Sequence, residues 1–214
     1  LGVTSAEING KRVLIKPNLV EPHAGIAHIN THPLVIRAAV EAFLYLGAAK
    51  VFVAEGAGHR RDSLLVLEES GLADVLYEDR IPFIDLNTAP VIKVRNLGGE
   101  SGLSELFLPQ ELVRADVRVS LAKMKTHHWA GITLSMKNLF GIMPGIIYGW
   151  PKNIFHWVGI SESIVDINAT VKTELAIVDG IVGMEGDGPI MGDPVEANVI
   201  VMGRNLPAVD ATCA

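Results

Sequence analysis

The sequence predicts an α/β domain in which helices cover both faces of a mostly parallel sheet, with a loop-rich site at the carboxyl ends of the strands. Apolar runs of strand length alternate with amphipathic helical segments along the chain. These runs are continuously apolar, which is typical of strands that are buried on both faces. The 214 residues include 21 glycines and only 6% aromatic residues, a composition that suits a domain with many tight loops.

Strands are predicted where a short apolar run ends in polar residues or glycine. These runs lie at residues 12–16, 51–54, 81–86, 117–122, 175–178 and 199–202. Residues 91–94 are interpreted as a hairpin partner of the strand before them, and residues 96–116 show no clear pattern. Residues 131–136 are typical of a helical or irregular segment.

Helices are predicted where apolar residues recur at helical spacing, over residues 34–46, 63–69 and 159–172. Pro33 opens the first helix and Gly47 stops it, while Asp62 can cap the second. All seven histidines are expected outside the strands, so several of them can meet at the sheet edge where parallel strands end.

Composition excludes several classes of function. A net charge of -6 disfavours nucleic acid as a partner, and no apolar run approaches the ~20 residues that span a membrane. Cys213 is the only cysteine, so no disulfide or cysteine-held iron–sulfur cluster can form within the chain, and a cytoplasmic location fits best. We expect a single domain over residues 1–214, and the start at Leu1 is consistent with a fragment that lacks terminal segments.

The richest candidate site is the segment from Lys123 to Gly141, which crowds lysines and histidines after a predicted strand. Such a cluster of cationic groups indicates a bound anion, cofactor or metal. Alternation after the strand favours His127 pointing into the cleft, as a catalytic acid or base, and His128 pointing away. Lys125 is expected to bind an anionic cofactor or substrate.

Two further lysine–asparagine combinations suit the binding of a carboxylate or phosphate. They are Lys16 with Asn18, at the end of the first strand, and Lys137 with Asn138. In the alternative interpretation, Lys137 extends along the surface to keep its ammonium in water and Asn18 only forms a turn.

His59 is the second catalytic candidate, because it ends a Gly-x-Gly-His loop whose glycines allow close approach to a ligand. Arg60 and Arg61 can hold a carboxylate or phosphate, and a surface turn is the alternative. The dinucleotide-binding fingerprint fails, since Arg61 stands where its third glycine would be.

His156 is a candidate metal ligand, with packing among its aromatic neighbours as the alternative. The acidic, glycine-rich segment over residues 179–189 either binds a cation or, as we favour, forms a solvated turn. Walker loops, Gly-x-Ser-x-Gly elbows, His-Glu-x-x-His helices and Cys-x-x-Cys pairs are absent from the sequence.

Several motifs together resemble the domain of unknown function 362 family over nearly the whole chain. They are Lys16-Pro-Asn, Lys123-Met-Lys-Thr-His, Thr133-Leu-Ser-Met-Lys-Asn-Leu-Phe-Gly141, Val178-Asp-Gly-Ile, Met184-Glu-Gly-Asp-Gly-Pro189 and Ala208-Val-Asp-Ala211. Domains of this family are often joined to ferredoxin-type iron–sulfur modules. The resemblance therefore implies such a module as a partner, outside these residues.

A fainter resemblance is to the N-terminal domain of nickel-dependent lactate racemase, carried by Gly58-His-Arg and by the spacing from His127 to Lys137. It implies that His59 and His127 are an opposed acid/base pair, that Lys137 attaches a nucleotide-derived cofactor carrying nickel or another transition metal, and that His156 binds the metal. The racemase pattern has glycines and arginine before its lysine, whereas Leu134, Ser135 and Met136 stand here. We therefore expect a noncovalent role for Lys137.

These observations predict a racemase-like enzyme that moves a proton or hydride on a small carboxylate-bearing substrate through histidines, with an anionic or metal cofactor. Two alternatives stay open. One is a noncatalytic redox or cofactor-carrying subunit associated with an iron–sulfur module, and the other is a small-anion binding protein.

Overall fold

The computed structural model describes residues 3–58, 61–149 and 152–214, and it has the α/β architecture that the sequence predicts. The strands are β1 (Arg12–Lys16), β2 (Lys50–Glu55), β3 (Phe83–Asp85), β4 (Val91–Arg95), β5 (Glu105–Pro109), β6 (Val117–His127), β7 (Gly131–Thr133), β8 (Leu175–Glu185), β9 (Asp193–Val195) and β10 (Val199–Gly203). The helices are α1 (Ser5–Ile8), α2 (Pro33–Tyr45), α3 (Ser63–Glu69), α4 (Leu72–Glu78), α5 (Gln110–Arg114), α6 (Ser135–Asn138), α7 (Gly145–Tyr148), α8 (Asn153–Trp157), α9 (Ile160–Val171) and α10 (Leu206–Cys213).

The main sheet has the strand order β10-β8-β6-β1-β2-β3. The pairs from β8 through β3 are parallel, while β10 runs antiparallel to β8 at the edge. The short strands β7 and β9 add antiparallel pairs beside β6 and β8. Because β8, β6, β1, β2 and β3 point the same way, the residues that follow them meet at one edge of the sheet.

Two hydrophobic layers hold the sheet between helices. Alternation along β1 sends Val13 and Ile15 into the layer with α2, α3 and α4, and sends Leu14 into the layer on the opposite face. That second layer contains the β4–β5 pair and residues of α5, α7, α8, α9 and α10. Within the described ranges, no helix is both long enough and apolar enough to cross a bilayer.

One prediction about strand pairing and one about strand burial are wrong. β4 pairs with β5, which comes from the segment without a clear pattern, and the two form a separate sheet rather than a hairpin with β3. The predicted buried strand at residues 199–202 is the edge strand β10, where Ile200 is 49% and Met202 is 48% exposed. Apolar character alone does not distinguish an edge strand from a central one, because pairing order depends on contacts far apart in the sequence.

β6 and β8 run several residues beyond their predicted ends. His127, expected outside the strands, is the last residue of β6, and most of the expected acidic turn belongs to β8. Asp179 is buried in β8, where its carboxylate accepts a hydrogen bond from Lys123 Nζ at 2.9 Å. Pairs of this kind let polar residues continue a buried strand after its apolar run has ended.

Candidate functional site

One cavity at the carboxyl edge of the parallel strands collects the predicted site residues that the structure describes. Its volume is about 100 Å³, which is room for a few groups the size of water, as in a small carboxylic acid. The predicted residues that line it are Lys16, Asn18, Lys125, His127, Lys137, Asn138 and His156. His59 lies outside the described residues.

The floor of the cavity is an ion pair at the ends of β1 and β2. Lys16 Nζ donates to Glu55 Oε2 at 2.7 Å and to Asn138 Oδ1 at 2.8 Å, and both charged side chains are at most 3% exposed. Burial lowers the pKa of Lys16, and the Glu55 charge opposes this shift. Gly141 lies against this pair, where a Cβ would meet the Glu55 carboxylate and the Lys16 ammonium.

A carboxylate from the last helix anchors the short helix α6, which carries Lys137 and Asn138. Asp210 accepts hydrogen bonds from the backbone N–H groups of Ser135, at 2.8 Å, and Met136, at 2.9 Å. The Ser135 hydroxyl also donates to Asp210, at 2.6 Å. These bonds satisfy the first turn of α6 and hold its residues against β1.

Four lysines and one glutamate are the charged side chains among the described lining residues, so the cavity carries an excess of positive charge. Burial, followed by the charges of Lys137 and Lys16, lowers the pKa of Lys125 to about 7. Burial is also the main cause that lowers the pKa values of Lys137 and Lys152 to about 8. Ammonium groups crowded in this way favour an anionic ligand, which restores their charged forms.

Two buried polar atoms of the cavity residues lack a hydrogen-bond partner among the described residues. They are Asn18 Oδ1, which can accept a hydrogen bond, and Thr133 Oγ1, which can donate one. Asn18 is 7% and Thr133 is 4% exposed, so leaving these atoms unpaired is costly. A ligand with a hydroxyl group and a carboxylate would satisfy both atoms.

The imidazoles at the cavity differ in which nitrogen bears the proton. His127 Nδ1 accepts hydrogen bonds from the backbone N–H groups of Trp129, at 3.1 Å, and Ala130, at 3.3 Å, so neutral His127 carries its proton on Nε2. His156 Nδ1 lies 3.2 Å from the Lys152 carbonyl, which can only accept, so its Nε2 holds a lone pair. His127 is therefore suited to donate a proton, and His156 to accept one or to bind a metal.

His128, predicted to point away from the cleft, also lines the cavity. Its Nδ1 donates to the Gly188 carbonyl at 3.0 Å, which leaves a lone pair on Nε2, as in His156. The rings of His127 and His128 stack with 5.0 Å between centroids, because the chain turns directly after β6 and strict alternation ends there.

Burial lowers the pKa of His156, which keeps that ring neutral near pH 7.

The chemistry of the lining fits an anionic cofactor better than a bare metal ion. The described residues contain no group of three histidine, cysteine, aspartate or glutamate side chains that could hold a metal. Four surrounding lysines would also repel a free cation. His156 can supply one ligand to a metal whose other ligands come from a phosphate- or carboxylate-bearing cofactor.

Two residues without a predicted role, Glu55 and Lys152, complete the site. Glu55 is a charged residue at the end of an apolar strand, a position that marks it as a site candidate in a parallel sheet. Lys152 has no such local signal, since it lies in an irregular segment before α8. Its Nζ donates to Asn87 Oδ1 at 2.6 Å and to the Gly56 carbonyl at 3.0 Å.

Two predicted cationic residues lie elsewhere. Arg61 pairs with Glu21, with 2.9 Å between Nη2 and Oε2, and Arg60 lies outside the described residues. Lys123 lines a separate, mostly apolar cleft of about 640 Å³ beside α2 and β10. The pairing of β6 with β8 shifts register between Lys123 and Lys125, which separates these two lysines into different cavities.

Comparisons with known proteins agree with this architecture. The structure of the lactate racemase apoprotein from Thermoanaerobacterium thermosaccharolyticum is similar to this chain with a TM-score of 0.59 and 16% sequence identity. The similarity covers 100% of this chain and 51% of that one, so it shows a shared fold over about half of the racemase. The predicted fold resemblance is confirmed at that level.

A sequence relative is the thylakoid-associated protein sll1697 of Synechocystis sp., which is 30% identical over 210 residues. The match covers 94% of this chain and 61% of the relative, so this chain spans less than two thirds of the length of either protein. The family model for Domain of unknown function (DUF362) matches residues 13–214, and the chain belongs to that family.

Proposed function

We propose that this chain binds a small carboxylate-bearing substrate in the lysine-lined cavity and moves a proton on it through its histidines. The observation that supports this most strongly is the meeting of four lysines, one glutamate and imidazoles of opposite proton placement in one small cavity. A purely structural cluster would pair its lysines with carboxylates, since unpaired buried charges are costly.

The proposed chemistry follows from the charges of the site. Lys125 and Lys152 bind the carboxylate, and together with Lys137 they stabilise the negative charge that grows when a proton leaves the adjacent carbon. His156 or His128 accepts that proton on Nε2, and His127 donates one from its own Nε2. Donation and acceptance by different rings is the arrangement that inversion at a carbon requires.

An anionic cofactor is part of the proposal. Lys16, Asn18 and Asn138 would hold one of its charged groups, which leaves Lys125, Lys137 and Lys152 to the substrate, and His156 would bind a nickel or other transition-metal ion carried by a nucleotide-derived cofactor. When bound, such a group would supply a hydride acceptor. The racemase-like fold of the chain supports this reaction class.

Exchange of carbon-bound hydrogen tests the function. The protein is incubated with lactate and other small 2-hydroxy acids in D₂O, and loss of the proton beside the carboxylate is followed by NMR. We expect exchange that falls by at least about tenfold in His127→Asn, as for loss of a general acid. His23→Asn, which changes an exposed histidine outside the cavity, is the matched control.

Unchanged exchange in His127→Asn would contradict the assigned role of His127. Exchange that is absent from the wild-type protein and all variants, with lactate bound in the cavity, would favour the second function. That function is a noncatalytic subunit or small-anion binding protein, and the same lysine cavity supports it.

In the noncatalytic form of the proposal, the cavity binds an anionic cofactor and a ferredoxin-type module on another polypeptide or segment exchanges electrons with it. The cytoplasm remains the predicted location, and the thylakoid association of the Synechocystis relative adds a membrane-adjacent location to test. Co-purification of an iron–sulfur protein with the chain, seen by its visible absorption, would support this form over the enzyme.

A further inference from the structure

Lys137 differs from the other three lysines of the cavity in what its ammonium contacts. Lys16, Lys125 and Lys152 each donate at least two hydrogen bonds to protein oxygens. Among the described residues, Lys137 Nζ makes no hydrogen bond or ion pair and lies 4.5 Å from the centroid of the Phe140 ring. Its nitrogen is therefore the one best placed to react with a ligand.

The surroundings of Lys137 raise the fraction of its side chain that is a neutral amine. Burial and the charges of Lys16 and Lys152 lower its pKa to about 8, against the opposing charge of Glu55. The imidazole of His156, on α8, also faces this charge. With this pKa, roughly a tenth of the side chain is neutral at pH 7, whereas an ordinary lysine is almost wholly protonated. Desolvation and neighbouring cations are known routes to a nucleophilic lysine.

The rest of the cavity can bind the carboxylate of the same molecule. Lys125 and Lys152 supply positive charge, and Thr133 Oγ1 and Asn18 Oδ1 are buried without partners among the described residues. A small 2-oxo acid carries a carboxylate and an electrophilic carbonyl on adjacent carbons, so it matches both features. A cavity of about 100 Å³ suits a molecule of that size.

We propose that Lys137 is a covalent site whose amine condenses with the carbonyl carbon of a small 2-oxo acid bound by the neighbouring lysines. The amine nitrogen bonds to the carbonyl carbon, the carbonyl oxygen leaves as water with two protons from the amine, and an imine forms without any change in oxidation state. The inference rests on the proposed carboxylate site and adds a substrate class and a reactive residue to it.

Reductive trapping tests the proposal on the full chain. The protein is incubated with pyruvate and sodium borohydride, which delivers hydride to the imine carbon and makes the bond permanent, and the labelled residues are located by peptide mass mapping. We expect Lys137 to be labelled at least about tenfold faster than exposed Lys11, with a rate that rises from pH 6 to pH 8.5. Lys137→Arg should lose this label, and Lys11→Arg should retain it.

Calorimetry with lactate separates this proposal from the proposed function, since lactate has the carboxylate but no carbonyl. If lactate binds but pyruvate does not label Lys137, the covalent site is wrong and the carboxylate site stands. If lactate does not bind and pyruvate labels only exposed lysines, both proposals are wrong. Because labelling is mapped on the wild-type protein, the result does not depend on the folding of any variant.

Discussion

At the scale of single residues, the pair of Lys16 and Glu55 ties stability to binding. Glu55 accepts hydrogen bonds from Lys16 Nζ at 2.7 Å, from the Leu19 N–H at 3.0 Å and from the Gly56 N–H at 2.9 Å. It is also the carboxylate that opposes the lysine charges of the cavity. A change at this position should therefore act on folding and on anion binding in opposite directions.

We expect Glu55→Gln to lower the free energy of unfolding by about 3 kcal/mol, because it leaves the buried Lys16 ammonium without its counter-charge. The same change should raise the affinity for small carboxylates, since the cavity loses its negative group. Urea denaturation and calorimetry with lactate measure the two effects. Glu196→Gln, at an exposed position, should change neither, and reduced affinity in Glu55→Gln would argue against an anion site.

Residue chemistry made most of this site predictable. Lysine, asparagine and histidine directly after apolar strands indicated Lys16, Asn18, Lys125 and His127 without any knowledge of the fold. The proton placement on His128 was not predictable, because it depends on the carbonyl of Gly188, 60 residues away in the sequence. Lys152 itself lies in a segment without helical or strand periodicity.

At the scale of elements, two connections hold the reactive groups in place. One is Asp210 of α10, which anchors the first turn of α6. The other is the loop after β8, whose Gly188 and Pro189 carbonyls bind His128 and Lys125. Neither element places a charged side chain of its own in the cavity. Asp210 nevertheless fixes the position of Lys137 through α6, and the loop after β8 fixes the positions of Lys125 and His128.

Asp210→Ala should weaken lactate binding several-fold and lower the free energy of unfolding by about 2 kcal/mol. The reason is that α6 loses the partner of two backbone N–H groups and of the Ser135 hydroxyl. Calorimetry and thermal unfolding measure both quantities. Asp187→Ala, which removes an exposed carboxylate, is the control, and intact binding in Asp210→Ala would show that α6 holds Lys137 without this cap.

Gly188→Ala should displace the loop after β8, because a Cβ at this position would overlap the Thr126 carbonyl of β6. The displacement takes the Pro189 and Gly188 carbonyls away from Lys125 and His128, so lactate binding should weaken several-fold. Gly186→Ala is a matched control in the same loop: its φ of +77° strains an alanine by about 1 kcal/mol, but no atom lies within 4 Å of the added carbon. Equal losses of binding in the two variants would mean that backbone strain, not the contact with β6, is responsible.

The elements themselves were predictable to different degrees. Continuous apolar runs identified the central strands, since burial on both faces requires such runs. The extension of β6 to His127 was missed because its polar residues are satisfied by distant partners, as Lys125 is by the carbonyls of Ile29 and Pro189. The β4–β5 pair was missed because pairing is a long-range property.

At the scale of the whole molecule, a chain of net charge -6 surrounds a cavity of positive charge. The negative surface weakens the approach of anions from a distance, so selectivity must come from contacts inside the cavity. The charged forms of Lys125, Lys137 and Lys152 are also less favourable in the folded state than in the unfolded chain, because their pKa values are lowered. Stability should therefore depend on pH in a direction that identifies the site.

The free energy of unfolding should rise as pH increases from 7 to 9. Lys125, with a pKa of about 7, and Lys137 and Lys152, with pKa values of about 8, lose protons in the folded state in this range, whereas the unfolded chain keeps them up to the ordinary value of 10.5. The unfolded state then binds more protons, so stability increases with pH, by at most about 1.4 kcal/mol per pH unit for each lysine. Above pH 9 the raised pKa values of Cys213 and Tyr148 act in the opposite direction.

Urea denaturation at pH 7, 8 and 9 measures this slope, and Lys137→Met should reduce it because one of the three titrating groups is gone. Saturating lactate should flatten the slope as well, since a bound carboxylate favours the protonated lysines and raises their pKa values toward 10.5. Lys11→Met, at an exposed position, should leave the slope unchanged. A free energy that falls between pH 7 and pH 9 in the ligand-free protein would mean that these lysines are already paired with anions, and the cavity would then have no excess charge with which to bind a substrate.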